Sequence, residues 1–181
     1  MRATFKFLLA LIVATLFMLV FRALAFTIYT VDGSELEPDL QKGDRVMVNR
    51  WSYGLRTGGD NGLFRYDRIF RSAVEKGDIV AFDSPKDSLP GVFVCRCKSV
   101  PGDTVRAGGE TLIVPGLVTC AKENYYWMES LNANSLIDSR YFGFVPESCI
   151  IGRVCMIVYS HDDDLPFYEG YRAERMFGLL E

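Results

Sequence analysis

The chain has 181 residues, 49% of them hydrophobic and 13% aromatic, which fits one ordinary domain with a short appendage and excludes a disordered chain. Its formal net charge is −3 and no basic run exceeds two residues, which excludes the electrostatic footprint of a nucleic-acid-binding protein. His161 is the only histidine and no C-x-x-C pair occurs, so we expect neither a metal site nor a cofactor.

The N-terminal segment is continuously apolar, and Phe7–Phe21 contains no charge. A membrane-spanning helix needs about 20 apolar residues, and residues 5–28 supply that length if Lys6 and Arg22 extend toward the two interfaces. A cleaved signal peptide with Ala23-Leu24-Ala25 as its processing site is the alternative, which Arg22 directly before that site disfavours.

The charges around this segment predict its orientation. Arg2 and Lys6 precede it, so the N-terminus is expected in the cytoplasm. We therefore predict a tail and single anchor over residues 1–28 and an extracytoplasmic, periplasmic domain over residues 29–181. The protein would lie in the inner cell membrane, bound to lipid through residues 5–28.

The rest of the chain consists of short runs of β-branched and aromatic residues between turn residues, and no long amphipathic helix pattern occurs. The spacing predicts a mainly β fold, an antiparallel β barrel or sandwich. Residues 51–75 form a connection long enough to be functional or mobile. Residues 161–181 begin as a solvated acidic loop and end as a short helix or strand that packs on the domain. The clearest strand candidates are Arg45–Asn49, Asp78–Phe82, Val92–Cys97 and Ile150–Tyr159.

Five cysteines cannot all pair within one chain. Cys95 and Cys97 alternate along one predicted strand, so they share a face at about 6.5–7 Å, at or beyond the limit for a disulfide. Buried thiols are the favoured interpretation. The pairing of the others, Cys120, Cys149 and Cys155, stays open.

Five stretches of the chain follow one another in a distinctive order: RALAFTIYTVDGSELEPDLQKGD, GDRVMVNRWSYGLR, KGDIVAFDSP, FVCRCKSVPGDTV and DSRYFGFVPESCIIGRV. Together they resemble the motifs of the type I signal peptidases, membrane-anchored proteases that remove signal sequences with a Ser/Lys dyad. The resemblance covers nearly the whole chain. It implies the signal peptidase fold behind one transmembrane helix.

The family's nucleophilic serine comes three residues before a proline and eight before the glycine of a Gly-Asp pair. Counting back from Pro38 and from Gly43 gives Glu35 both times, and counting forward from Arg22 gives Glu35 again. Ser34 is one residue early. Adjacent side chains of an extended segment point to opposite faces, so the two positions are not equivalent.

The family's lysine base stands six residues before the proline of Pro-Gly-Asp, directly ahead of an arginine. Six residues before Pro101 is Cys95, followed by Arg96 as the resemblance requires. Lys98 is the nearest lysine, but an offset of three places it on the other face and about 10 Å along the strand. A thiol cannot replace a desolvated lysine as the base.

The supporting segment is changed as well. Where the family has a Gly-Asp-Asn-Arg turn, this chain has Ser130-Leu131-Asn132-Ala133. The following Asp-Ser-Arg motif is retained. The resemblance assigns to groove and scaffold the residues Leu36, Pro38, Arg96, Asp138, Ser139 and Arg140.

Three enzymatic alternatives stay open. In the first, Ser34 is a displaced nucleophile with Lys98 as base, which makes the chain an active signal peptidase I that cleaves exported preproteins. The second pairs Cys95 as a thiol nucleophile with His161. The third uses the carboxylates of residues 32–37, namely Asp32, Glu35 and Glu37, as an acid pair or metal site.

Without an intact dyad, we expect a catalytically inactive, membrane-anchored relative of signal peptidase I. Such a protein would act as a binding or scaffolding subunit. Its partners would be exported preproteins or a membrane protein complex, held by addition of an extended segment to the groove or by the apolar membrane-facing surface.

Overall fold

The computed structural model describes residues 2–31, 39–57, 66–86, 88–119, 121–130, 138–162, 165–166 and 168–180. Two helices lie among them, α1 (Arg2–Ala25) and α2 (Ser139–Phe142). Short 3₁₀ turns occupy Leu117–Thr119, Glu147–Cys149 and Ala173–Arg175. The strands are β1 (Phe26–Thr30), β2 (Asp44–Asn49), β3 (Leu55–Thr57), β4 (Asp67–Ile69), β5 (Ile79–Asp83), β6 (Val92–Ser99), β7 (Thr104–Ala107), β8 (Glu110–Ile113), β9 (Tyr125–Glu129), β10 (Val145–Pro146) and β11 (Ile150–Ser160).

Seven strands form one antiparallel sheet in the order β1-β2-β11-β5-β6-β9-β10, and β3–β4 and β7–β8 are separate hairpins. The four strand candidates correspond to β2, β5, β6 and β11. The prediction of a mainly β, antiparallel domain is therefore confirmed.

The sheet is buried on both faces at its central strand β5, which carries apolar side chains at consecutive positions. Within β5, Val80 and Phe82 point into one apolar cluster, and Ile79 and Ala81 into another. The first cluster, here called core 1, contains Cys95, Cys97, Tyr126, Met128, Phe142, Val145 and Ile150. The second, core 2, contains Val31, Leu40, Val46, Val48, Ile151, Val154 and Ile157.

The described part of the 51–75 connection is structured. It contains the β3–β4 hairpin, and Tyr53 and Val74 at its ends are both 3% exposed in core 1. Arg68 of β4 is buried and donates to the backbone oxygens of Gly54, Glu147 and Ile150. This arginine fastens the hairpin to the start of β11, which the glycine-rich sequence did not predict.

The end of the chain packs on the domain, as predicted. Strand β11 pairs with β5 only over Ile150–Arg153, so its edge beyond Arg153 is open on that side. Residues 177–180 cover that edge: Phe177 N–H donates to the Ile157 oxygen at 2.7 Å and Ile157 N–H to the Gly178 oxygen at 3.0 Å.

Two further expectations, the membrane-spanning helix and the buried thiols, can be compared with the described residues. The described stretches contain no helix that is both long and apolar enough to cross a membrane. Cys97 and Cys155 are free thiols, and Cys95 and Cys97 are 0% and 1% exposed on the same face of β6, which agrees with their predicted alternation. Cys120 lies outside the described residues.

Candidate functional site

The predicted nucleophile segment lies between Val31 and Asp39. Its residues Asp32, Ser34, Glu35, Leu36, Glu37 and Pro38 fall outside the described residues, so their predicted roles stay predictions. The two flanks of the segment are held together. Val31 N–H donates to the Asp44 oxygen at 2.8 Å, and Gly43 N–H donates to the Val31 oxygen at 3.0 Å.

Asp39, directly after this segment, is tied to two distant parts of the chain. Its Oδ2 accepts from Arg96 Nη2 of β6 at 2.7 Å, and its backbone oxygen accepts from Arg175 Nη2 at 2.7 Å. Leu40 follows and is fully buried in core 2. Arg96, predicted as a scaffold residue, therefore binds the C-terminal flank of the nucleophile segment.

Cys95 occupies the position where the resemblance places the lysine base. Its side chain is fully buried in core 1, and its cross-strand neighbour on β5 is Val80. Arg96 next to it points to the other face, where it meets Asp39. An apolar environment would lower the pKa of a lysine, but the group present here is a thiol.

Lys98, the alternative base, lies in a different environment. Its side chain is 66% exposed, and its Nζ is 3.6 Å from Glu129 Oε2 on the neighbouring strand β9. A general base of this type needs desolvation, which an exposed lysine beside a carboxylate does not have. The structure does not bring Lys98 to the face that holds Cys95.

The second buried thiol is also unsuited to catalysis. Burial first, and the nearby Asp78 carboxylate second, raise the pKa of the Cys97 thiol to about 12. A thiol with that pKa stays protonated at neutral pH and is not a nucleophile.

The Asp-Ser-Arg motif forms a turn in which the side chains of Asp138, Ser139 and Arg140 are hydrogen-bonded. Asp138 is fully buried and caps α2: its Oδ1 accepts from Arg140 N–H at 2.7 Å, and its Oδ2 accepts from Arg140 Nε at 2.8 Å. Its hydrogen bond to Arg140 raises the pKa of that guanidinium. Ser139 Oγ accepts from Met128 N–H of β9 at 2.8 Å. These three predicted scaffold residues dock α2 against β9.

The structure does not bring His161 to Cys95. In register, Cys95 lies opposite Val80, which lies opposite Arg153 of β11. His161 is eight residues beyond Arg153, and two bulges in β11 shorten the separation to roughly 20 Å along the strand direction. The Cys95/His161 hypothesis is therefore wrong, because β11 is one long strand rather than a return toward β6.

The expectation that His161 lies in a solvated loop is also wrong. His161 is 8% exposed, stacks on the Tyr159 ring at 6.3 Å and meets Tyr171 edge-on at 5.2 Å. Among the described residues no group of His, Cys, Asp or Glu could hold a metal ion. The carboxylates proposed at residues 32–37 are not among them.

Sequence reasoning missed Arg175. This residue reaches both Asp39 and Asp44 across more than 130 positions of sequence. Nothing in the sequence around it distinguishes it from other arginines of the chain.

The comparisons with known proteins agree with this fold. The family model for signal peptidase, peptidase S26, matches residues 4–125 and 116–159. A protein named "Probable signal peptidase I-2" from Synechocystis sp. is 30% identical over 68% of this chain and 58% of its own length. "Signal peptidase I" of Bacillus licheniformis is 30% identical over 62% and 50%, and that of Aquifex aeolicus is 27% identical over 88% and 85%.

The chain thus spans only half to three-fifths of the first two relatives, but the family match extends through most of its own residues. That match runs from α1 through β11 and includes Arg96, Asp138 and Arg140. The chain belongs to the signal peptidase family, peptidase S26.

Proposed function

We propose that this chain is a membrane-anchored member of the signal peptidase family that has lost hydrolysis and binds a partner instead. The observation that carries the proposal is the environment of the two candidate bases on β6. Cys95, at the family's lysine position, is fully buried in core 1, whereas Lys98 is exposed and ion-paired with Glu129. Neither is a neutral, desolvated amine that could take a serine proton.

The second support comes from the retained residues. Arg96 binds Asp39, and Asp138, Ser139 and Arg140 hold α2 on β9. These contacts keep the shape of the domain without a proton acceptor. A fold preserved in this way is suited to binding, and the Glu35 expected at the nucleophile position would add a carboxylate to the groove.

The proposed membrane attachment is supported by α1. Its described side chains from Thr4 to Leu19 are all exposed, and they are largely apolar, with Phe5 69% and Phe17 72% exposed. Exposing so much apolar surface to water costs about 25 cal/mol per Å², a cost that a bilayer removes. The described residues contain no helix long and apolar enough to cross a membrane, so the proposed anchor, with a cytoplasmic N-terminus and an extracytoplasmic domain, is based on this exposed apolar surface and on Arg2 and Lys6 before the apolar run.

The proposed binding mode uses β1. In the described sheet β1 is an edge strand, paired only with β2, and it begins directly after α1. Phe26 and Ile28 on it are 39% and 50% exposed. An extended apolar segment leaving the membrane, from an exported preprotein or a membrane protein, could add to this edge by backbone hydrogen bonds.

The test is cleavage of a preprotein by the full chain in detergent. We expect no cleavage by the native chain or by Ser34→Ala, and a gain of cleavage in the double variant Glu35→Ser, Cys95→Lys. The matched control is Glu35→Ser, Cys97→Lys, which places the same amine two residues away on the same face of β6.

The opposing outcome is signal peptidase activity, which the names of the relatives state for those proteins. If the native chain cleaves the preprotein and Ser34→Ala or Lys98→Ala abolishes the cleavage, the chain is an active signal peptidase with a displaced dyad and the proposal is wrong. Circular dichroism of each variant separates loss of chemistry from loss of fold.

A further inference from the structure

The end of the chain forms what we call the C-terminal strap, residues 168–180, which runs from Tyr168 to the open edge of β11. Backbone hydrogen bonds fix its last residues to β11: Phe177 N–H to the Ile157 oxygen at 2.7 Å and Leu180 N–H to the Cys155 oxygen at 3.2 Å. A bridge between Met156 and Leu179 continues the pairing. The strap therefore behaves as an added strand with a fixed register.

From this position the strap reaches the segment we call the 39–44 turn, which joins the nucleophile segment to β2. Arg175 Nη2 donates to the Asp39 backbone oxygen at 2.7 Å and to Asp44 Oδ2 at 2.9 Å. Arg172 Nη1 donates to the Lys42 oxygen at 3.1 Å. Two arginines of the strap thus hold both ends and the middle of one turn.

The Asp44 carboxylate makes the Arg175 contact costly to lose. Asp44 is fully buried, its Oδ2 accepts from Gln41 N–H and from Arg175, and its Oδ1 has no hydrogen-bond partner. Arg175 is the cation that pairs with it among the described residues. Without this guanidinium, a buried carboxylate would keep a single N–H donor.

The strap also makes apolar and aromatic contacts to the sheet, through Leu180 and Tyr171. A pocket of about 390 Å³ lies between the strap and the sheet, lined by Asp39, Ile79, Ile157 and Leu180 among others. Leu180 packs against core 2, so the strap is held on the sheet, and Arg172 and Arg175 extend that hold to the 39–44 turn.

We propose that Arg175 is a positioning residue, through which the C-terminal strap fixes the 39–44 turn and with it the C-terminal flank of the nucleophile segment. Arg96 fixes the side chain of Asp39 and Arg175 fixes its backbone, so the flank is gripped from β6 and from the strap. This role is independent of whether the chain cleaves a peptide or only binds one.

The experiment is hydrogen exchange followed by mass spectrometry on the full chain in detergent. In Arg175→Gln we expect amides of residues 40–46 to exchange about tenfold faster, the factor expected for loss of a charged hydrogen bond, while β5 and β6 stay protected. Arg175→Lys keeps the positive charge but replaces the forked guanidinium by a single ammonium group, so it should restore part of the protection. Arg106→Gln, an exposed arginine on the β7–β8 hairpin, is the matched control and should change nothing in this turn.

A double-mutant comparison separates positioning from general stabilisation. Asp44→Asn should open the same amides, and adding Arg175→Gln to it should produce less than the sum of the two separate effects, because the two residues share one ion pair and only the Arg175 contact to the Asp39 oxygen is left to lose. Unchanged exchange at residues 40–46 in Arg175→Gln would overturn the proposal. So would additive effects of the two substitutions, or an equal increase over β5 and β6.

Discussion

Two regions of this domain, the Asp138–Phe142 turn beside β9 and Cys95 on the neighbouring strand β6, differ in the groups that they bury. The Asp138–Phe142 turn keeps its polar residues, and the buried Asp138 carboxylate accepts from Arg140 N–H at 2.7 Å and from Ser130 N–H at 3.3 Å. At Cys95 of β6, the strand next to β9 in the sheet, the position that the resemblance assigns to the lysine base is occupied by a thiol enclosed in core 1. The turn keeps the polar groups that hold it on β9, whereas the position that the resemblance assigns to the lysine base carries a buried thiol.

Buried positions differ in which side chains they tolerate. A buried carboxylate with matched donors stabilises the turn that surrounds it, so its removal is costly. A position lined by apolar side chains tolerates small neutral residues. A charge added there would lose its hydration without gaining a partner, which is costly. Removal of the charge should therefore destabilise the Asp138 turn, whereas addition of a charge should destabilise the Cys95 position.

The largest effect is expected from a charge at Cys95. Cys95→Asp should lower the free energy of unfolding by about 4 kcal/mol or more, because the carboxylate would be desolvated in core 1, whereas Cys95→Ala should cost about 1 kcal/mol. Denaturant unfolding followed by the fluorescence of Trp51 and Trp127 measures both. Equal stability of the two variants would mean that Cys95 lies in a solvated site and would break the comparison.

Removal of Asp138 tests the other side. Asp138→Ala should cost about 2–3 kcal/mol, because the N-cap of α2 is lost and the N–H groups of Ser130 and Arg140 lose their acceptor. Asp138→Asn keeps one acceptor oxygen and should cost less. The same unfolding measurement applies, and a loss below about 0.5 kcal/mol would show that the turn does not depend on this carboxylate.

The Cys97 thiol sharpens the comparison through pH. Its folded pKa of about 12 lies above the ordinary value of 9.0, so the folded state binds the proton more tightly than the unfolded state. The contribution to stability is complete below about pH 9 and is lost as pH rises toward 12, by about 1–2 kcal/mol at pH 10.

We therefore expect native stability to fall between pH 8 and pH 10 more steeply than that of Cys97→Ala. Subtracting the two unfolding curves cancels the other titrating groups. A difference that does not change with pH would show that this thiol is more solvated than core 1 implies.

The smallest effect is expected at Lys98. Because its ion pair with Glu129 is exposed, Lys98→Ala should change the free energy of unfolding by no more than about 0.5 kcal/mol. Lys76→Ala, which removes a similarly exposed pair with Asp103, is the matched control. A loss well above the control value would indicate that Lys98 occupies a buried, functional environment.

Local patterns in the sequence predicted much of the fold. The alternating runs gave β2, β5, β6 and β11 within one or two residues, because side-chain alternation and turn residues are local properties of a strand. The same alternation separated Cys95 from Lys98 on β6, and their burial agrees with it.

Contacts between distant residues were not predictable in this way. The sequence offered no reason to expect Arg68 buried under β11, His161 packed between Tyr159 and Tyr171, or Arg175 on Asp39. Each depends on which parts of the chain the sheet brings together. That neighbourhood follows from strand order, which a single sequence does not encode in any local pattern.

By itself the sequence determined the four strands β2, β5, β6 and β11, the family resemblance and the residue types at the positions that the resemblance assigns to the dyad, because periodicity and motif spacing are properties of neighbouring residues. The tertiary structure alone decided which side chains are buried away from water and which charged groups form ion pairs. It buried Cys95, left Lys98 in water and set Arg175 against the 39–44 turn. The physical reason is that desolvation and ion pairing depend on packing in three dimensions, and it is packing that decides whether a residue type at the right position can act.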